Sequence, residues 1–293
     1  MRIPPAETRL RAVQIGVMGI GLAVGLGLLI HLRTSAAQQT APVPLRADGM
    51  PLNFPFREPD PIDFNDQTGY VQIFDSVSLK GWDGDPTIWR VEDRAIVGEH
   101  AKGKPLGNTY IAYRGFEAKD FDLKLEIKVE YGGGSGIQYR SKTGLPWHQP
   151  TPPAAPPPNL NWMMTGPQAD FWWPVPPFFS VFTGQFYSEN TPLGIVAWRG
   201  QVTQIVPGNA PRLVGNIGDR TALGGYVKHN DWNQCLIMAR GGTFIHILNG
   251  QLMAVLIDDD LTDSNNQSGL IGIEIEGAPT KVSVRNVWIK RLS

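Results

Sequence analysis

The chain has 293 residues, 42% of them apolar and 18% charged, with a formal net charge of -1. That length buries a sizeable core in one large or two small domains, and near-neutrality with no basic run beyond pairs excludes a nucleic-acid footprint. The single cysteine, Cys235, excludes an intrachain disulfide framework, and its apolar setting "CLIMA" reads as a buried, inert thiol.

Residues 1–11 carry Arg2, Arg9 and Arg11 ahead of an apolar run over 12–32, "AVQIGVMGIGLAVGLGLLIHL". At about 1.5 Å per residue a helix of that length spans a hydrocarbon core. The arginines orient it, with the N-terminus cytoplasmic and everything after residue 32 outside. A cleaved signal peptide competes, because "SAA" at 35–37 offers small residues, but the run exceeds the ~7 to 15 residues of a secretory core. Gly21 and Gly25 make a GxxxG spacing that lets two membrane helices approach closely. Residues 33–68 are rich in Pro, Ala, Gln and Asp, a composition that builds no core and reads as an extended linker or strap.

From 69 to 293 the pattern changes to short alternating or apolar runs between Gly, Pro, Asn and Asp, among them "IWRV", "AIVGE", "NTYIAYR", "SGIQYR", "WNQCLIMAR" and "GLIGIEIE". These predict strands without crossover helices, hence an all-β domain of antiparallel sheets packed as a sandwich or jelly roll. In "HILNGQLMAV", Asn249 and Gly250 suit a type I′ hairpin. In "FDLKLEIKVE" the apolar residues share one face, while the charged ones face solvent or a concave site. The insertion 146–182 breaks this rhythm: 11 of the 25 prolines lie between Pro146 and Pro177, which predicts a long, stiff loop. Its rings, including Trp147, Trp162, Phe178 and Phe179, offer a contact surface. "YGGGSG" at 131–136 reads as a strand connection in which glycine admits tight turns, and no helix or lysine follows to make it a phosphate cradle. His100, His148, His229 and His246 stand too far apart for ligand spacing, whereas "DDDLTDSNN" at 258–266 is acidic enough to suggest calcium.

Several segments together resemble the 3-keto-disaccharide hydrolase domain family: "FDSVSLKGWDGDPTIWRVEDRAIVGE", "DFDLKLEIKVEYGGGSGIQYRS", "GPQAD", "TGQFYSE", "GIVAWRG", "DWNQCLIMARGGTFIHILNGQ" and "GLIGIEIEGAPTKVSVRNVWIKRL". The resemblance implies a concanavalin A-like jelly roll, a fold that often holds calcium, and cleavage of 3-keto glycosides. A ketone at C3 acidifies the C2 proton, so the glycosidic bond breaks by elimination. That requires a base near C2, an acid for the leaving oxygen, and a cation or donors for the enolate. By family position the candidates are Glu99, Glu126, Arg140, Asp170 and Glu276, with Arg140 as anion stabiliser and Glu126 or Asp170 as base. Gln138, Gln168, Trp172, Trp173 and Tyr187 are candidates for holding sugar. Where this chain has Glu274, family members commonly carry Gln.

Each candidate has a plainer reading. Glu126 alternates with Lys124 and Lys128 as a solvated strand does, Arg140 suits a strand-end ion pair, and Asp170 and Glu189 suit turn caps. Glu274 and Glu276 point the same way, which suggests a cation site, a raised proton affinity or plain exposure. Three functions follow. The sequence favours an accessory subunit of a membrane complex, docked through its anchor and aromatic insertion; the domain family also occurs as an extracytoplasmic subunit in bacterial photosynthetic reaction-centre and light-harvesting supercomplexes, an arrangement this chain resembles. That implies a bacterial inner-membrane protein with a periplasmic domain. The alternatives are a 3-keto-glycoside-cleaving enzyme and a carbohydrate-binding module without catalysis.

Overall fold

A computed structural model describes residues 44–47, 49–52, 60–100, 106–151, 153–173 and 181–292. The chain divides into two units at Asp60 and Pro61. In the first, Leu45 bridges to Pro51 across a short turn. Residues 12–32, with Gly21 and Gly25, lie outside the described residues, among which no helix is long and apolar enough to cross a membrane.

The second unit is a sandwich of two sheets. The larger runs in spatial order β12 (Arg212–Asn216), β11 (Gln201–Ile205), β15 (Gln251–Asp258), β14 (Thr243–Leu248), β13 (Asn233–Arg240), β6 (Phe121–Glu130), β17 (Lys281–Arg291), β4 (Ala95–Glu99) and β3 (Trp89–Glu92), with β1 (Val71–Gln72) also on β17. The smaller runs β10 (Gly194–Ala197), β9 (Phe186–Glu189), β8 (Met164–Trp172), β7 (Gly134–Thr143), β16 (Gly269–Ile275), β5 (Thr109–Ala118) and β2 (Trp82–Gly84). One pair departs from the antiparallel expectation: β11 runs parallel to β15.

Period-two alternation builds the core. Phe121, Leu123, Leu125 and Ile127 of β6 are buried against the smaller sheet, each contributing about 1.5 to 3 kcal/mol. Rings meet between the layers, Phe121 with Tyr139 at 6.0 Å and Phe186 with Phe244 at 5.5 Å. The opposite face of β6 is not a concave site. There Asp122 pairs with Arg240 at 2.8 Å and Glu126 with Arg285 at 2.8 Å. Lys124 Nζ donates to the carbonyls of Asp63 (3.0 Å) and Asp66 (2.6 Å) and lies 4.5 Å from the Tyr70 ring. Residues 61–68, expected within the linker, thus lie across this face as a strap.

The β14–β15 hairpin turns at Asn249 and Gly250, both at positive φ (50° and 79°), as the sequence requires. The proline-rich insertion behaves differently from expectation. Its second half holds β8, an interior strand paired on both sides despite Pro167. The proline is accommodated because the β7 register shifts between Gln138 and Lys142, a bulge opposite Pro167 where no ladder donor is needed.

Candidate active site

Alternation along β7, β8 and β16 sends Ile137, Tyr139, Ala169, Phe171, Ile273 and Ile275 into the core. Gln138, Gln168, Asp170 and Glu274 therefore project from the outer face of the smaller sheet. Register sets them side by side: Gln138 faces Gln168, Glu274 faces Tyr110, and Gln168 faces Tyr187. Two glycines of the "GGGSG" run clear the space. A Cβ at Gly136 would fall 2.0 Å from Gln168 Nε2, and one at Gly134 would fall 2.7 Å from the Trp172 ring and 2.8 Å from Glu276. These glycines lie inside β7 and admit neighbouring side chains, a role beyond the tight turn expected of them.

The projecting groups form one hydrogen-bond network. Glu274 is fully buried; its Oε1 accepts from Tyr110 Oη (2.9 Å) and Asn108 Nδ2 (2.9 Å), and its Oε2 accepts from Gln168 Nε2 (2.6 Å). Gln168 Nε2 also donates to Asp170 Oδ1 (2.8 Å), and Gln185 Nε2 donates to Asp170 Oδ2. Behind them Ser141 Oγ donates to Gln138 Oε1 (2.6 Å), and Gln138 Nε2 donates to Gln168 Oε1. Beside the network opens a cleft of about 230 Å³ with Trp172, Phe182 and Ile195 as its apolar wall. Asn108, Gln149, Gln185, Tyr187, Glu189 and Glu276 line the remainder. The wall continues outward as packed rings, Trp172 to Phe182 at 5.0 Å and Phe182 stacked on Trp198 at 5.8 Å.

Four carboxyls share this space, and burial raises the proton affinity of each. Their donors separate them. Glu274 receives three hydrogen bonds that favour its charged form and partly offset burial. Asp170 is pushed well above the carboxylate range by burial and by the Glu274 charge, against donation from Gln185 and Gln168. Glu189 and half-buried Glu276 are also pushed well up, by burial and then by the neighbouring carboxylates. No lysine or arginine lines the cleft among the described residues. A site so built sets acids of raised proton affinity beside one whose charged form is supported by three donors, the arrangement acid–base chemistry needs.

The structure brings Gln138, Gln168, Asp170, Trp172, Tyr187 and Glu276 together and separates the other candidates. Arg140 is the clearest correction. The bulge places it at φ 49°, out of alternation with Gln138, and turns its buried guanidinium to Asp120 Oδ1 (3.0 Å) and the carbonyls of Lys119 (2.5 Å), Gly241 (2.9 Å) and Asn265 (3.1 Å). It fastens loops and stabilises no anion in the cleft. Glu126 and Glu99 belong to the larger sheet, Glu126 with Arg285 and Asn286, Glu99 with Arg90 and Tyr131. Trp173 lies 6.4 Å from the His229 ring, Trp147 packs edge-on to Tyr110 at 6.3 Å, and Trp162 Nε1 donates to Asp83 Oδ1 at 3.1 Å. Phe178 and Phe179 lie outside the described residues. Over 258–266, Asp258, Asp260 and Asp263 cap local backbone N–H groups, and among the described residues no group of three or more acidic, histidine or cysteine side chains converges to hold a metal.

Sequence reasoning missed Asn108, Tyr110 and Gln185 as site residues. Tyr110 carried a usable signal, since it alternates with core Ile111 opposite Glu274. Gln185 precedes β9 and carried none.

A 3-keto-disaccharide hydrolase of Bacteroides thetaiotaomicron is 36% identical to this chain over 84 residues, a match covering 25% of this chain and 28% of that protein. Among solved structures, two candidate glycosyl hydrolases of Parabacteroides distasonis align at 19% and 16% identity, covering 77% and 76% of this chain and 95% and 99% of theirs, with TM-scores of 0.45 and 0.46. Residues 69–290 match the model of the 3-keto-alpha-glucoside-1,2-lyase-like domain, and the chain belongs to that family.

Proposed function

We propose that the cleft breaks the glycosidic bond of a 3-keto glycoside by elimination followed by hydration. The observation that carries this reading is the difference in donors between neighbouring acids of raised proton affinity: Asp170 receives two amide N–H donors that favour its charged form against burial, while Glu276 is raised by burial and neighbouring carboxylates with no such donors to offset them. Asp170 is the base that removes the C2 proton. The C–H electron pair forms the C1–C2 double bond, the C1–O bond breaks, and Glu276 protonates the departing oxygen. Water then adds across the double bond to give the free 3-keto sugar. Neutral donors at the cleft edge, Asn108, Gln149 and Tyr187, receive the enolate oxygen, and Trp172 stacks on the sugar face. The test is incubation of the full chain with a 3-keto disaccharide in D2O. Free sugar carrying deuterium at C2 is expected; no turnover by folded protein sinks the reading.

The apolar span 12–32 anchors this domain in a membrane with the domain on the extracytoplasmic side. Protease added to intact spheroplasts should digest the domain, and its protection would reverse that topology. A second reading has one observation in its favour. Since no lysine or arginine among the described residues faces the enolate, the same fold also suits an accessory subunit of a membrane complex, such as a photosynthetic one, in which turnover has lapsed. Mild detergent extraction separates the two: co-elution with other membrane subunits and no turnover supports the second, and an active free monomer supports the first.

A further inference from the structure

The core side of the sandwich holds a polar chain that the proposed chemistry does not use. His246 of β14, in the larger sheet, is buried with Phe186 stacked on it at 5.5 Å and 10°. Its Nδ1 lies 3.2 Å from the Gln185 carbonyl and its Nε2 lies 2.6 Å from Tyr139 Oη. A carbonyl only accepts, so Nδ1 carries the proton and Nε2 accepts from the tyrosine. Burial pushes the imidazole down to about 4, so it stays neutral and keeps this tautomer at neutral pH.

The Gln185 carbonyl also receives the Asp170 main-chain N–H at 3.4 Å, while the Gln185 side chain reaches Asp170 Oδ2. Residue 185 therefore grips residue 170 by main chain and side chain together. The histidine behind it comes from the opposite sheet. A glutamine in the open would waste rotamer freedom on such a contact; this one is 2% exposed and held from both sides.

We infer that His246, Gln185 and Asp170 form a positioning relay through the sandwich, in which His246 fixes Gln185 and Gln185 sets the orientation and proton affinity of Asp170. The relay deepens the reading of Asp170 as the base and rests on it for its catalytic meaning. The charged groups facing Asp170 are Glu274 of β16, Glu189 of β9 and Glu276 beyond β16, all carboxyls. Among the described residues no cation lines the cleft to mask the Gln185 contribution.

Asp170 is the sole aspartate among the four cleft carboxyls, so aspartate labelled with 13C at the carboxyl, assigned with Asp170→Asn, reports its titration in the full-length protein. Gln185→Met removes the N–H that favours the carboxylate, so the Asp170 midpoint should rise by about one pH unit or more. His246→Phe keeps the ring stack and should move the midpoint the same way by less. With a 3-keto disaccharide, both variants should lose about tenfold or more in kcat with KM within about twofold, and the acid limb of the rate profile should move up. A merely structural role predicts a lower Tm with the midpoint unmoved, and that result overturns the relay. If His246→Phe does not fold, the Gln185→Met midpoint decides. The midpoint needs no turnover, so an inactive wild type refutes the lyase reading while leaving the relay to stand or fall on the titration.

Discussion

The outer faces of the two sheets are built on the same alternation and both present carboxylates; away from the cleft the smaller sheet pairs its acids with cations, Asp83 with Arg114 and Glu117 with Lys142, but the acids of the cleft are treated oppositely to those of the larger sheet. On the larger sheet each acid meets a cation: Asp122 with Arg240 at 2.8 Å, Glu126 with Arg285 at 2.8 Å, Glu99 with Arg90 at 2.6 Å and Glu92 with Lys281 at 2.7 Å. On the smaller sheet Asp170 and Glu274 meet amides and a hydroxyl. The proton affinities separate accordingly. Glu92 and Glu99 are held below the usual range by hydrogen bonds from Lys281, Tyr131 and Arg90, whereas Asp170, Glu189 and Glu276 are raised by burial and by neighbouring carboxylates, and Glu274 by burial alone. A carboxylate paired with a cation at the surface is inert; one buried beside a cleft and held by neutral donors keeps its chemistry.

The sharpest way to break this contrast is to remove one acid from each face. Asp170→Asn should lower kcat on a 3-keto disaccharide by about 10³-fold, while Glu126→Gln leaves it within about twofold; equal losses would erase the distinction. Next in size is Arg140→Met. Because the guanidinium is buried and satisfies several carbonyls, denaturant unfolding should show a loss of about 3 kcal/mol, without a change in the Asp170 titration that would mark a role in the cleft.

A smaller effect follows from linkage. The cleft carboxyls have folded-state proton affinities above their unfolded values. Their contribution to stability is full below the unfolded carboxylate range, near pH 4, and is lost as pH rises through the folded values. Tm should therefore fall as pH rises from about 4 to 7, and Glu274→Gln should flatten that fall; an equally steep profile in the variant would place the pH dependence elsewhere. Glu92 and Glu99 run the other way, stabilising above about pH 4.5 and losing that contribution as pH falls, but both are partly exposed and screened. Glu99→Gln should accordingly cost at most about 1 kcal/mol by denaturant unfolding, the smallest effect of the set.

The strands were legible because alternation is a local signal. "FDLKLEIKVE" became β6 with its apolar residues inside, and "LNGQ" became the turn between β14 and β15. Two errors trace to one bulge. Read as regular alternation, β7 puts Gln138 and Arg140 on one face, and a proline-bearing segment such as "GPQADF" looks unfit for a sheet interior. The bulge between Gln138 and Lys142 turns Arg140 away and accepts Pro167 opposite it. Such an irregularity arises from the pairing of two strands and leaves no periodic trace in either.

By itself the sequence determined the all-β class, the strand faces, the family and the presence of acids two apart in "EIE", since each depends on residues within one or two turns of chain. Only the tertiary structure decided which acids share a cleft. Asp170, Glu189 and Glu274 come from three strands, and Asn108, Gln168 and Gln185 reach them across sheet register. The charge on a carboxyl is set by burial and by donors within about 3 Å, and neither quantity exists until the sheets have paired and packed.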